Sequence, residues 1–263
     1  MRTDEADDAA LTTFVAQTDR VTRQLAGSVR ELEVGFAVRT PDLSAVWSAN
    51  NLCCTSAATR ATLERLGEEE LAGLPYRHLI VRHRETAEAV EPALDAAGWR
   101  VERDVVMLLD GTPKEPADTG VVGELTEDQM AMLMAQWLRE EFGDVRQQDV
   151  DDVVEYNRRV GRHYGERRLG VVDADGTPLA VTKLRVDGPL GWVEDVYTTP
   201  HARNRGYART LVTQAARAAR EAGCSVVVIV ADADDWPQDL YARVGFRPIG
   251  SGRVFHRVVD PAG

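Results

Sequence analysis

A strand, a short turn and an amphipathic helix follow one another between residues 192 and 222. β-Branched and aromatic residues before Pro200 predict the strand, and the proline ends it. After the turn, the apolar positions recur with helical spacing at Ala208, Leu211, Val212, Ala215, Ala219 and Ala222. The segment therefore predicts a strand–turn–helix unit of an α/β protein.

The turn between the strand and the helix has the composition of an anion site. Its residues are Arg203-Asn204-Arg205-Gly206-Tyr207-Ala208. Backbone N–H groups at the start of a helix lack intrahelical partners, and Gly206 lets the chain approach a ligand closely. An ordinary junction with solvated arginines is the alternative. The turn has neither the G-x-x-x-x-G-K nor the G-x-G-x-x-G pattern of the common phosphate-binding loops.

A second pattern follows in residues 233–246, where a strand end and a short helix lead to Leu240-Tyr241-x-x-x-Gly245-Phe246. Together with the turn, it resembles the GNAT superfamily of acyl-CoA-dependent N-acetyltransferases, whose signature turn is Arg/Gln-x-x-Gly-x-Gly/Ala. The specific resemblance covers residues 121–259. It implies an α/β (α+β) fold with a mixed, mostly antiparallel central sheet flanked by helices. It also implies acetyl transfer from acetyl-CoA to an amine, without a metal ion.

The resemblance assigns roles to individual residues of this sequence. It implies that the turn holds the pyrophosphate of acetyl-CoA through backbone amides, and that the preceding strand runs along the pantetheine arm. The implied cofactor-binding residues are Val196, Tyr197, Thr198, Arg203, Asn204, Arg205, Gly206, Tyr207 and Ala208. Tyr241 is the implied donor of a proton to the departing thiolate, because a phenol with a pKa of about 10 is a competent donor. Simple packing is the alternative role for Tyr241.

The general base is left open between two carboxylates, Glu194 and Asp195. Because they are successive strand residues, we expect them to point to opposite faces, so that only one faces the substrate. That residue could take the ammonium proton through water or attract a cationic substrate, and either residue could instead be solvated. Asp232, at the end of a later strand, is a candidate substrate-site residue, because ligands of open α/β folds bind at strand ends.

The first half of the chain follows the pattern of the second at low identity. An ungapped shift lays 43–50 on 190–197, 57–71 on the helix after Arg203, and 76–81 on 223–228. We therefore predict two tandem GNAT-like domains, at residues 1–110 and 121–263, with a linker at 111–120 that contains glycines and prolines. Chance agreement of common α/β patterns is the alternative.

The first of these predicted domains lacks the residues that carry the resemblance. Ser56 and Thr59 stand where the turn has Arg203 and Gly206, and Leu94 stands at the position of Tyr241. A β-branched residue adopts left-handed backbone poorly and blocks close approach of a ligand. We therefore expect this domain to have lost acetyl-CoA binding and to serve as a structural partner.

The amino-acid composition limits the kinds of ligand and partner that the chain is expected to bind. The chain has 31 basic and 43 acidic side chains and a formal net charge of −12, which argues against general binding of nucleic acid or of anionic membrane. The same balance weakly favours a cationic acceptor, an amine of a small molecule or a peptide.

The cysteines and histidines show no metal-ligand spacing. The acidic N-terminus lacks the apolar run of a secretion signal, so we expect a cytoplasmic protein, and a homodimer is compatible with the sequence. An acyl-CoA-binding or sensing protein without activity is the alternative function.

Local periodicity and breakers predict the following elements. Helices are predicted at about 7–26, 57–71, 85–97, 126–142, 149–164, 206–222 and 236–244. Strands are predicted at 34–39, 45–49, 76–81, 101–109, 169–173, 180–186, 192–198, 225–230 and 254–257.

Overall fold

The computed structural model of the chain describes residues 2–114 and 122–259. Its helices are α1 (Arg2–Leu25), α2 (Arg60–Glu70), α3 (Arg84–Asp95), α4 (Glu127–Phe142), α5 (Gln147–Tyr164), α6 (Tyr207–Glu221) and α7 (Pro237–Val244). Its strands are β1 (Ser28–Leu32), β2 (Gly35–Arg39), β3 (Asn51–Cys54), β4 (Tyr76–Val81), β5 (Arg100–Leu109), β6 (Gly123–Glu124), β7 (Arg167–Val172), β8 (Pro178–Asp187), β9 (Leu190–Thr198), β10 (Val226–Asp232) and β11 (Phe246–Val258). None of these helices is both long and apolar enough to cross a membrane.

Most of the predicted elements occur where the periodicity places them, and β4, α6 and α7 agree with their predicted bounds to within one residue. The strand predicted at 45–49 is wrong, because Trp47–Ala49 forms a short 3-10 helix and β3 begins only at Asn51. The buried side chain of Asn50 explains the difference. Its amide donates to the carbonyl oxygens of Leu43 at 2.9 Å and Val46 at 3.0 Å, which holds this segment in a turn.

The chain divides into two compact units. Unit 1 comprises the described residues of Met1–Gln17, Val106–Ala231 and Asp235–Ile249. Unit 2 comprises those of Thr18–Val105, Asp232–Asp234 and Gly250–Gly263. Part of the predicted linker, residues 115–120, lies outside the described residues, and the division into tandem domains stays a prediction.

Unit 1 takes residues from both ends of the chain. Phe14 of α1 is buried and packs in one cluster with Val106, Leu190 and Val228. This apolar contact explains why the first part of α1 belongs to a unit whose strands come mainly from the second half of the chain.

Unit 1 is built on a mixed, mostly antiparallel sheet. Its strands follow the order β6-β7-β8-β9-β10, and β5 lies beside β10. The pairs from β6 to β9 are antiparallel, while β9 and β10 are parallel. Helices cover this sheet, which confirms the predicted fold class.

The two faces of this sheet carry different helices. Side chains of Val181, Lys183 and Arg185 share one face of β8, and Val181 packs in the cluster that α4 and α5 form. Helix α6 lies on the other face, against Gly191 of β9. A Cβ atom at Gly191 would stand 2.6 Å from the Cβ of Ala219, so only glycine lets α6 approach this closely.

Unit 2 has strands in the order β1-β2-β3-β4, and the end of β11 pairs antiparallel with β4. Strands β3 and β4 are parallel and connected by α2, as β9 and β10 are connected by α6. Its core includes the fully buried residues Leu52, Leu63, Leu79, Leu94 and Phe255. Leu94, where the predicted repeat would have Tyr241, is therefore a core residue of unit 2.

Candidate active site

Strands β9 and β10 run side by side for only part of their length. Their paired residues extend from Leu190 with Val226 to Val193 with Ile229, whereas β9 continues to Thr198 and β10 to Asp232. Among the described strands, no other one takes the place of β10 on this edge of β9. Its last residues, Val196, Tyr197 and Thr198, therefore present a strand edge that can pair with an extended ligand.

The turn after β9 leaves the start of α6 open. Asn204 has φ +62° and Gly206 has φ +82°, so both adopt left-handed backbone. Gly206 is the N-cap of α6, and no side chain caps this helix. The Thr210 N–H donates to the Gly206 carbonyl oxygen at 3.1 Å, so the N–H groups of Tyr207 and Ala208 in the first turn have no helical acceptor. This arrangement suits an anionic ligand.

The side chain of Arg203 points back toward the strand. Its Nε donates to the Thr198 carbonyl oxygen at 3.1 Å, and its guanidinium pairs with the carboxylate of Glu140 on α4. The Tyr197 hydroxyl donates to the same carboxylate at 2.9 Å. Glu140, which sequence reasoning missed, thus connects the turn to α4, and the open anion-binding groups of the turn are backbone N–H groups.

An irregularity interrupts the pairing of β8 with β9. Val181 pairs with Tyr197 and Lys183 with Glu194, so β9 has one residue more than β8 between the two pairs. Asp195 lies at this extra position and has left-handed backbone, with φ +51°. The segment is a β-bulge, which re-aims the side chains around it.

The bulge makes the expectation of opposite faces for Glu194 and Asp195 wrong. Asp195 pairs with Lys183, and Glu194 pairs with Arg185. Because Lys183 and Arg185 are two residues apart on β8, they share one face. Both carboxylates therefore lie on the α5 side of the sheet.

The two basic residues of β8 are buried and fully partnered. The Lys183 ammonium donates to the Asn157 side-chain oxygen at 2.6 Å in addition to its pair with Asp195. The Arg185 guanidinium lies 2.8 Å from the carboxylate of Glu166 in addition to its pair with Glu194. Sequence reasoning missed these partners, although charged residues at alternate positions of a buried strand are a signal for ion pairs.

The two carboxylates differ in basicity. Burial raises the pKa of Glu194 to about 7, with a further increase from the charge of Asp195 and a decrease from Arg185. Burial alone would raise the pKa of Asp195 too, but Lys183 and Arg185 outweigh it and lower that pKa. Near neutral pH, Asp195 is thus a stable anion, while Glu194 gains and loses a proton.

Tyr241 lies on α7 with its side chain buried. Burial and the negative charge of Asp195 both raise the pKa of its hydroxyl, which therefore stays protonated at neutral pH. Tyr241 can therefore donate a proton, and the negative charge of Asp195 is felt at its hydroxyl.

A shallow, partly open cleft lies on the α4–α5 side of unit 1. Lys183 and Asn157, the two residues that hold each other beside Asp195, form part of its wall. The rest of its lining is Glu127, Met130, Ala131, Met134, Val154, Arg158, Glu166 and Arg168. The cleft therefore borders the carboxylates of β9 on the face that α4 and α5 cover.

Asp232 lies at the end of β10 and belongs to unit 2. Its carboxylate accepts from the Asp234 N–H at 2.8 Å, which is a local turn contact. Its charge also contributes to the raised pKa, about 6, of Asp104, where burial is the main cause. A substrate role for Asp232 stays a prediction. The described residues contain no group of His, Cys, Asp and Glu that could hold a metal ion.

Under the predicted repeat, the turn before α2 in unit 2 corresponds to this turn, and side chains cap part of it. Thr59, the N-cap of α2, has extended backbone (φ −91°), and its side chain accepts from the Thr62 N–H at 3.2 Å. The Ala58 N–H donates to the hydroxyl of Thr86 at 3.1 Å. The turn before α6 has backbone N–H groups without side-chain acceptors. In the turn before α2, hydroxyl groups of the protein accept from the backbone N–H groups instead.

Residues 131–246 match the family described as the acetyltransferase (GNAT) family. A comparison with curated protein sequences finds no match.

Solved structures share the fold at low sequence identity. A functionally unknown conserved protein from Staphylococcus epidermidis superposes with a TM-score of 0.69 and 13% identity, over 89% of this chain and 95% of that one. A GCN5-related N-acetyltransferase from Kribbella flavida gives a TM-score of 0.56 and 16% identity, over 94% and 95%. A GCN5-related N-acetyltransferase from Sphaerobacter thermophilus gives a TM-score of 0.52 and 18% identity, over 74% of this chain and 64% of that one.

Proposed function

From the premise that the chain carries an acetyltransferase domain of the GNAT family at residues 131–246, we propose that it transfers an acetyl group from acetyl-CoA to a primary amine. The acceptor is a small molecule or a peptide. One observation carries the choice of donor: the open edge of β9 is followed, after the short 3-10 helix Pro200–Ala202, by the uncapped turn at Gly206. An extended amide-containing arm that ends in a pyrophosphate fits these two features in sequence.

Bound acetyl-CoA would supply the thioester that the amine attacks. The backbone of Val196, Tyr197 and Thr198 orients the arm, and the N–H near Val196 polarises the acetyl carbonyl. The backbone of the turn from Arg203 to Ala208 holds the pyrophosphate. These residues fix the thioester at the point where β9 leaves β10.

The two carboxylates and Tyr241 have separate roles in binding the amine and in moving protons. Asp195, which Lys183 keeps ionised, attracts and orients the ammonium form of the acceptor. Glu194, with its pKa near 7, takes the proton through water and leaves the neutral amine. Tyr241, which burial keeps protonated, gives its proton to the departing thiolate.

Two measurements test the proposal. Calorimetric titration of acetyl-CoA should give one site per chain, because the side chain of Thr59 caps the helix that follows the turn of unit 2. Release of the CoA thiol should then occur with members of a panel of primary amines. Failure to bind acetyl-CoA would contradict the proposal, and two bound molecules would contradict the loss of the first site. Tight binding without turnover on the whole panel would favour an acyl-CoA-binding protein without activity.

Glu194→Gln tests the assignment of the base through the pH profile. Glu194 has a raised pKa, so it accepts a proton only above about pH 7, and activity is lost as the pH falls through this value. In the wild type, kcat/KM should therefore rise between pH 6 and 8 with an apparent pKa of about 7. In the variant, kcat/KM should be about 100-fold lower and this rise should disappear.

The matched control is Glu221→Gln, which removes an exposed carboxylate from the end of α6 and should leave the profile unchanged. The amine substrate also titrates, at higher pH. This second part of the pH profile should be the same in every variant. An unchanged rise near pH 7 in Glu194→Gln would show that another group is the base.

A further inference from the structure

The cleft between α4, α5 and the sheet contains five charged side chains, and four of them have partners of opposite charge. Glu127 lies 3.7 Å from Arg158. Glu166 pairs with Arg185 at 2.8 Å, and Lys183 pairs with Asp195. These pairs neutralise most of the charge that the lining of the cleft carries.

Arg168 of β7 is the remaining charge. Its Nε donates to the Leu125 carbonyl oxygen at 3.3 Å, and no carboxylate in the described part of the chain forms an ion pair with it. The guanidinium therefore has donors available in the cleft that it lines. Because Arg168 is, among the described residues of the lining, the charge without a partner of opposite sign, this end of the cleft has a net positive charge.

Arg168 and the carboxylates of β9 form a row across three strands. Arg168 pairs across the ladder with Lys183 of β8, and Lys183 pairs with Glu194 of β9. Adjacent strands lie about 4.8 Å apart, so the backbone of Arg168 lies about 10 Å from that of the carboxylate pair. Long side chains reach into this gap from both ends.

We propose that Arg168 binds a carboxylate on the acceptor, so that the acceptor is an amine that also carries a carboxylate, as amino acids do. This inference rests on the proposed acetyl transfer and deepens it. The guanidinium takes the carboxylate in a two-point contact, and the ammonium lies toward Asp195. Met130, Met134 and Val154 supply apolar contacts to the substituent along the same cleft. A purely cationic acceptor, which the net charge of the whole chain favours, leaves Arg168 without a partner in this cleft.

Matched pairs of amines test the proposal. Leucine and isoamylamine, and phenylalanine and phenethylamine, differ only in the carboxylate. For the wild type, kcat/KM in thiol release should be about 10- to 100-fold higher for the carboxylate-bearing member of each pair. In Arg168→Gln, this preference should vanish through a higher KM for the amino acid, while the KM for acetyl-CoA stays unchanged.

Arg167→Gln is the matched control, because Arg167 is the next residue of β7, is exposed and pairs with Glu124. It should keep the preference. Equal rates on both members of each pair in the wild type, or a preserved preference in Arg168→Gln, would overturn the proposal. A preference for phosphoethanolamine over β-alanine would also overturn it, in favour of a phosphate site.

Direct binding decides the question without turnover. Calorimetry of leucine into the CoA-saturated wild type should show binding that weakens about 10-fold or more in Arg168→Gln and not in Arg167→Gln. Equal binding by all three proteins would overturn the inference. If acetyl-CoA binds but no amine of either kind releases thiol, the proposed function fails, while the leucine titration still decides whether Arg168 holds a carboxylate.

Discussion

Replacement of Tyr241 by phenylalanine should lower kcat about 100-fold while the KM for acetyl-CoA and the melting temperature change little. Phenylalanine keeps the ring in its buried position on α7 and removes only the hydroxyl. Without this proton donor, the thiolate must leave unprotonated or take its proton from water, and positioned acids commonly contribute 10²- to 10⁴-fold. Steady-state thiol release at saturating acetyl-CoA and amine measures the effect.

Tyr156→Phe on α5 is the matched control, since Tyr156 is not part of the cleft lining, and it should retain the wild-type kcat. Because burial and Asp195 raise the pKa of Tyr241, the wild-type kcat should also show no loss at the upper pH values where an ordinary phenol begins to ionise. A full kcat in Tyr241→Phe would mean that Tyr241 only packs on Phe246, its ring neighbour at 6.5 Å.

The local features of the candidate site could be predicted from the sequence because they depend on a few neighbouring residues. Pro200 ends β9, and Gly206 adopts left-handed backbone at the start of α6, as the composition of the turn suggests. The periodicity of the helix after the turn gives its bounds to within one residue. Short-range rules suffice where the backbone conformation is decided by the residues themselves.

The bulge at Asp195 could not be predicted in this way. The alternation of side chains along β9 predicts opposite faces for Glu194 and Asp195, and one extra residue in the ladder brings both to one side. The register of β9 is decided by its pairing with β8 and by the buried pairs with Lys183 and Arg185. These contacts join residues that are distant in sequence, so no local pattern contains them.

Long-range packing also decides the make-up of the units. The predicted boundary divides the chain at a segment rich in glycine and proline, whereas the compact units assign Phe14 and the strands around Leu190 to one core. Similarly, the 3-10 helix at Trp47–Ala49 depends on the buried amide of Asn50. Apolar periodicity indicates that a segment is buried, but not which other segment covers it.

Gly206→Glu should weaken acetyl-CoA binding by at least about 100-fold and abolish thiol release at ordinary donor concentrations. Two effects add. A residue with a Cβ at φ +82° costs about 1–2 kcal/mol in that conformation, so the turn shifts away from its open form. The new carboxylate also stands where the pyrophosphate approaches, and two like charges about 4 Å apart near a protein surface repel by about 4 kcal/mol. Calorimetric titration of acetyl-CoA into both proteins gives the ratio of the dissociation constants.

Gly223→Glu separates the two effects from a general loss of stability. Gly223 also has left-handed backbone (φ +87°), and a Cβ there meets no atom within 4 Å. It lies just beyond the opposite end of α6, so the same substitution adds the same strain and charge far from the turn. The control should bind acetyl-CoA as the wild type does, with a melting temperature lowered about as much as in Gly206→Glu. Equal affinities of Gly206→Glu and the wild type would place the pyrophosphate elsewhere, and the assignment of the turn would be wrong.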